Sequence, residues 1–393
     1  MRASLVDLAF AAFDGPKTPA HVAVCLTFAQ GLSPSLKALE SGAERARTAY
    51  PRSTQRLDGA VWKPSLHKAP PIAEDSGPDV AAATRRFLAQ PFELSRGGCP
   101  AQALIRGPDG TCTLVTRMHH AQGDMLSVFL WLLAQLEGCA AKPLQLRTHP
   151  RPARRSVFAP VRPSEAMLGG DAACATGVRA WHHLAFCPAG KGDGYTWNDL
   201  LAAIALSTVE AWNTERGGGE RIALWMPVGA RVQPFEGFGN GSGRIRLYAR
   251  PAQGFVAQAR SIREQVRWAK ESGEWATPSW ASALAWAPNA WVRRMLLRQA
   301  SSPDVDMGTT LFTHLQRLVP EGAVEPLAHV ERVELIAHLL PAHPMALSAM
   351  GHHGQTHLTF TWDEGRFSRA EAQAFIALFE ATRLRAFAEV RGG

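Results

Sequence analysis

The chain has 393 residues, of which 46% are hydrophobic and 19% charged, and it carries a formal net charge of +8 at pH 7. The length suits two domains, and the composition is that of a packed globule, which excludes a disordered or fibrous chain. A pI of about 9.5 suits anionic lipid, a phosphorylated cofactor or an acidic protein partner, while the lack of a basic block interleaved with aromatics makes nucleic acid the least suited partner.

The N-terminal stretch MRASLVDLAFAAFDG is interrupted by Asp7 and lacks the long apolar core of a signal peptide. HVAVCLTFAQ reads as a strand. SPSLKALESGAERARTAYP predicts a helix capped at Ser33 and ended by Pro51. DVAAATRRFLAQPFEL predicts a second helix, stopped by Pro91. CPAQALIRGPDGTCTLVTRMHH predicts a hairpin turning at Gly107-Pro108-Asp109-Gly110. MLSVFLWLLAQL reads as a buried helix, too short to span a membrane.

Prolines and arginines then crowd residues 151–177, which read as an extended crossover between a block at 1–150 and a block at 178–393. Its arginines suit a solvated loop, with contact to cofactor phosphates as the alternative. In the second block, TWNDLLAAIALSTVEAWNTER predicts a helix capped by Thr196, with Asp199 at the third helical position. RIALWMPVGARV reads as a strand, and a glycine-rich loop, GFGNGSG, leads into another. FVAQARSIREQVRWAKES predicts a helix, and VERVELIAHLL, PMALSAMG and THLTFTWDEG read as strands. Ser368 caps a closing helix. The expected class is α+β in both halves. Cys25, Cys99, Cys112, Cys139, Cys174 and Cys187 are scattered without metal-ligand spacing. They fit reduced thiols of a cytoplasmic protein.

The chemistry concentrates in His119-His120-Ala121-Gln122-Gly123-Asp124. The residues before it favour a strand and those after it a helix, so the two imidazoles sit at a chain turn that can hold them rigidly. An imidazole with a pKa near its usual value of about 6.5 accepts a proton at neutral pH. The pairs His182-His183 and His352-His353 lack a carboxylate at the same spacing. Satisfied structural histidines are the competing reading of the motif.

This spacing resembles the HHxxxDG motif of the acyltransferase superfamily that includes chloramphenicol acetyltransferase, plant BAHD acyltransferases, nonribosomal-peptide condensation domains and bacterial wax ester synthases. Further segments resemble the wax ester synthase/diacylglycerol acyltransferase type in the same order. They are the opening with Asp7, Phe13 and His21; YPRSTQRLDGAVWKP; PFELSRGG with Pro91, Leu94 and Arg96; Asn198-Asp199; MPVGAR with Pro227 and Arg231; and Gly239-Asn240. The departures are Met125 in place of the motif's glycine, Cys99-Pro100-Ala101 in place of proline-leucine-tryptophan, no SNVPGP-like segment and no DFGWG motif. If the motif's glycine has positive φ, Met125 would carry strain.

The resemblance implies two chloramphenicol-acetyltransferase-like lobes arranged as a V around a substrate channel. It implies His120 as general base, His119 in support and Asp124 as a structural carboxylate. An acyl group would pass from acyl-CoA or an acyl carrier protein thioester to a hydroxyl or amine acceptor, with no covalent acyl-enzyme, no metal and no bound cofactor. Arg231 is a candidate partner of Asp124. Asn198 and Asp199 read more simply as a helix start, and Gly239-Asn240 as a tight turn. Asn240, Thr309 and Thr310 are the candidate substrate-binding and oxyanion-donating residues.

Three alternatives accompany this reading. One is a standalone condensation-type enzyme of secondary metabolism using a carrier-bound donor. Another is a catalytically silent relative that binds an acyl ligand or partner. The third is a zinc site at His352, His353 and His357. The segment PSWASALAWAPNAWVRRMLLRQ, with Trp280, Trp286, Trp291, Arg293, Arg294 and Arg298, fits a helix pair broken at Pro288, or a peripheral membrane contact that collects lipid acceptors.

Overall fold

The computed structural model describes residues 1–65, 70–97, 100–138, 144–147, 157–158, 164–169, 175–189, 192–232, 237–250, 254–276, 287, 289–300, 308–315, 327–340 and 342–392. Much of the expected crossover at 151–177 lies outside these residues, as do Cys99, Cys139, Cys174, Trp280, Trp286 and Pro288. The chain runs α1 (Leu5–Phe13), β1 (His21–Phe28), α2 (Leu36–Ala49), a 3-10 turn (Pro51–Thr54), β2 (Gln55–Asp58), β3 (Val61–Pro64), β4 (Ala73–Ser76), α3 (Val80–Ala89), β5 (Ala101–Arg106), β6 (Cys112–His119) and α4 (Met125–Leu136). It continues with β7 (Arg179–Phe186), α5 (Trp197–Glu215), β8 (Ala223–Gly229), β9 (Ser242–Tyr248), α6 (Phe255–Ser272), α7 (Asn289–Ala300), β10 (Thr310–Leu315), β11 (Val330–Ile336), β12 (Met345–His352), β13 (Gln355–Asp363) and α8 (Arg369–Gly392).

This is the expected α+β class, organised on two main sheets. The first is five-stranded, in the order β11-β1-β6-β5-β4, and the second six-stranded, β7-β13-β12-β10-β8-β9; β2 and β3 pair separately. All of the first sheet except β11 comes from the chain's first block. Its outer edge is covered by side chains of the second sheet, which answers the aggregation hazard of a bare strand edge. The N–H groups of Leu335 and Ala337 donate to Thr359 and Thr361 Oγ1 at 3.0 and 3.3 Å. The His352 ring meets the Val330 carbonyl at 2.7 Å.

Each sheet buries apolar residues under helices. Val24, Leu26, Leu114 and Met118 pack with Val128, Phe129 and Leu132 of α4 and Leu39, Ala43 and Ala46 of α2. The second core joins Leu200–Leu206 of α5 to Phe312, Leu347, Phe360, Phe375 and Phe379. The sequence MLSVFLWLLAQL is apolar on nearly every face because α4 lies between α2 and the sheet. The β5–β6 hairpin forms with the expected antiparallel register, Arg106 opposite Cys112. The β12–β13 hairpin closes through His353 and Gly354, both left-handed (φ 45° and 72°), the combination that a two-residue type I′ turn requires.

Two local expectations change. Ser35 rather than Ser33 caps α2, its side chain accepting from the Ala38 N–H, because helical backbone begins only after the Ser33-Pro34 step. Met125 carries no left-handed strain. It is the first residue of α4, with Asp124 as N-cap, and among the described residues only Leu327 and His353 have positive φ without being glycine.

α7 lies against α1, burying Val292 and Leu296. Its Trp291 is 53% exposed. No described helix is long and apolar enough to cross a membrane.

Candidate active site

Strand β6 delivers the two histidines. His119 is its last residue and pairs with His21 of β1; His120 follows in the turn, its N–H bonded to the Ala20 carbonyl at 2.8 Å. The His119 ring is committed locally. Its Nδ1 accepts the Ala121 N–H at 3.0 Å, and its Nε2 faces Asp14 Oδ2 at 3.4 Å. His120 keeps partial exposure. Phe10 of α1 stacks on it face to face, with centroids 3.5 Å apart and planes 10° apart, and His338 meets it edge-on at 6.0 Å. Burial lowers the pKa of His120 to about 4, only partly offset by its own backbone, Asp124 and Asn240. The imidazole is therefore neutral at pH 7 and able to take a proton.

Asp124 does not reach toward this ring. It caps α4 by accepting the Ser127 N–H at 3.0 Å. It also takes a bidentate ion pair from Arg231, at 2.8 and 2.7 Å. Ser127 Oγ, Gly241 N–H and Ser242 Oγ also donate to it, at 3.0, 3.0 and 2.9 Å. Burial alone would raise its pKa; Arg231 and these hydrogen bonds outweigh that and hold the carboxylate well below its usual range. Gly241 is required by proximity, since a Cβ there would lie 2.6 Å from Arg231 Cζ. The pairing expected from sequence is thus present in the geometry, and it ties the histidine turn to the loop before β9.

Asn240 stands in that loop. Its Nδ2 donates to Asp7 Oδ1 at 2.8 Å, the His120 carbonyl at 2.9 Å and the Ala121 carbonyl at 3.2 Å. Three facing oxygens fix the amide's orientation and leave it no hydrogen for a developing oxyanion. Asn240 belongs to the site as the clamp of the histidine turn rather than as the expected oxyanion donor. Asp7 is the hub behind it, holding Trp62 Nε1 at 3.2 Å and Arg52 Nη2 at 2.7 Å, and closing a capping box with Ser4.

Thr309 and Thr310 are not brought to His120 by any contact among the described residues. Thr309 Oγ1 accepts the Ala223 N–H, and Thr310 Oγ1 donates to the Met345 carbonyl, so both serve the second sheet. Asp199 closes the Thr196 capping box of α5, and Asn198 Oδ1 meets His314 Nδ1 at 3.0 Å. His352 and His357 spend ring nitrogens on β11 and His183, and among the described residues no cluster of His, Cys, Asp or Glu could hold a metal.

Sequence reasoning missed Phe10, Asp14 and His338. Asp14 accepts the Ala20 N–H at 2.9 Å beside His119. His338 follows the end of β11 and reaches the site because β11 pairs with β1 beside β6, a long-range pairing that leaves no local pattern to read.

No protein-family model matches the chain, and no curated protein matches it in sequence. Solved structures do. The starter condensation domain of rhizomide synthetase RzmA, in complex with C8-CoA and Leu-SNAC, is 13% identical with a TM-score of 0.67, covering 98% of this chain and 94% of that one. The wax ester synthase/diacylglycerol acyltransferase from Marinobacter aquaeolei VT8 is 13% identical at TM-score 0.61, over 99% of this chain and 100% of that one. The nonribosomal peptide synthetase FmoA3 matches at 14% identity and TM-score 0.65 over 99% of this chain, which spans 42% of its length. The chain shares the fold of these condensation-domain and wax ester synthase structures.

Proposed function

We propose that the protein is an acyltransferase that moves an acyl group from a thioester, acyl-CoA or carrier-bound, to a hydroxyl or amine, with His120 as general base. The observation that supports this most is a neutral, partly exposed imidazole held at a strand end by Phe10, Asn240 and the Asp124–Arg231 pair. Such a ring takes the acceptor's proton as the nucleophile attacks the thioester carbonyl. The tetrahedral adduct then expels the thiolate, which recovers the proton from the imidazolium. Holding both substrates together removes much of the entropic barrier, so no acyl-enzyme is required. In this reading the blocks at 1–150 and 178–393 act as two lobes joined through 151–177. The basic surface suits the phosphates of coenzyme A or an acidic carrier.

The test is acceptor-dependent thiol release from short-, medium- and long-chain acyl-CoA with pooled alcohols and amines. Wild type is expected to release thiol, and His120→Ala to lose at least about a hundredfold of the rate. Silence with every CoA donor but release from carrier-bound donors would assign the condensation-type role. Silence with both would leave a ligand-binding protein.

A further inference from the structure

Asp14 stands where α1 ends and the chain turns toward β1. It is the C-cap of the helix that carries Phe10, its N–H bonded to the Phe10 carbonyl at 3.2 Å. Its carboxylate meets two groups that lead to His120. One oxygen accepts the Ala20 N–H at 2.9 Å. The other lies 3.4 Å from His119 Nε2. The carboxylate is 33% exposed, so it is open to solvent.

Each of these contacts ends on a peptide that flanks the base. Ala20 grips one through its carbonyl, which accepts the His120 N–H at 2.8 Å. His119 grips the other through its ring, whose Nδ1 accepts the Ala121 N–H at 3.0 Å. An amide N–H only donates, so Nδ1 is a lone pair and the hydrogen of the neutral ring is on Nε2, facing the carboxylate. In the other tautomer Nδ1–H would meet the Ala121 N–H, donor against donor. Burial alone would raise the Asp14 pKa; His119 and the Ala20 N–H outweigh it and lower the pKa from its usual value, so the group is ionised at neutral pH. A carboxylate accepts on both oxygens. An amide in its place accepts on one and turns an N–H toward either the Ala20 N–H or His119 Nε2–H.

Resting on the acyl-transfer reading above, we propose that Asp14 is a positioning residue for the reaction: it takes the Ala20 N–H on one oxygen and the His119 Nε2–H on the other, which fixes the His119 tautomer and locks both peptides that flank His120. Asp14 touches no substrate and takes up no proton in the cycle. Its effect falls on the chemical step, because a small displacement of the base slows that step far more than it weakens binding.

The experiment measures acceptor-dependent thiol release and the 15N shifts of the His119 ring in wild type, Asp14→Ala and Asp14→Asn. Donors are acetyl-, octanoyl- and palmitoyl-CoA and their carrier-bound equivalents, with pooled alcohols and amines as acceptors. Both variants are expected to lose about ten- to a hundredfold in kcat, with KM values within about threefold of wild type. Formate supplies a free carboxylate to the space left in Asp14→Ala and is expected to raise its kcat about fivefold or more. Wild type is expected to show a bare Nδ1 and a protonated Nε2 on His119, and both variants a mixture of tautomers. Melting curves identify variants that fail to fold; the isosteric Asp14→Asn and the wild-type shifts then decide. A protonated Nδ1 on His119 in wild type overturns the proposal. So does a folded Asp14→Ala with unaltered kcat, or one whose loss leaves the His119 shifts unchanged and ignores formate, since that marks a scaffold role only. In each of these cases an active wild type leaves the acyltransferase reading standing. No transfer by wild type from any donor sinks that reading and the proposal with it.

Discussion

Asp124 serves two structures at once. As N-cap it satisfies the first turn of α4, and as partner of Arg231 it neutralises a guanidinium that is 3% exposed. The two roles separate by substitution. Asp124→Asn keeps a capping oxygen but leaves Arg231 buried and unpaired, a loss of about 3–5 kcal/mol. Removing both charges with Asp124→Asn and Arg231→Met together should cost less than the single aspartate change, since no unpaired charge remains. Chemical denaturation of the three variants checks this, and a single change that costs under about 1 kcal/mol would mean the pair is not what holds the turn. The Asp124–Arg231 pairing was legible in sequence because motif and partner both fall on recognisable segments. Phe10 and His338 were not, because nothing local marks a ring that matters only once α1 and the end of β11 converge on β6.

At the scale of elements, the long periodic or uniformly apolar segments announced themselves: α4, α5, α6 and α8, and strands β1, β6 and β13. Short or half-exposed pieces such as β4 (Ala73–Ser76) and β7 did not, since a strand that leaves side chains in solvent lacks a distinct apolar period. Met125 shows how element context overrides a motif comparison. Its glycine counterpart invites the idea of a strained substitution, yet here the residue opens a helix and joins the core beneath it. Met125→Gly should therefore destabilise the protein rather than relieve it. Weaker helix propensity and lost burial together amount to about 2–3 kcal/mol. A urea midpoint that rises in Met125→Gly would overturn the helical role of this position.

Across the whole molecule, buried histidines set the acid response. Burial lowers His120 and His357 to about 4 and His338 to about 3, and His21 lies well below its usual value. The unfolded chain takes up these protons near pH 6.5 while the folded protein refuses them. Folded stability therefore falls as pH drops below about 6.5, and goes on falling until the folded values are reached. Asp124 works in the opposite sense and lower down: its contribution is present above about pH 4 and is lost only as pH falls toward its depressed folded value. The histidine window thus comes first on acidification. Linkage puts the loss at about 2 kcal/mol per such ring at pH 5. Three rings then remove an amount comparable with a typical domain's whole margin of about 5–15 kcal/mol. The expected result is a melting temperature that is flat from pH 8 to 7 and drops steeply between pH 6.5 and 5, with a shallower drop in His338→Leu because one titrating ring is gone. A curve that stays level to pH 5 would mean these imidazoles take up protons in the folded protein as readily as in the unfolded chain.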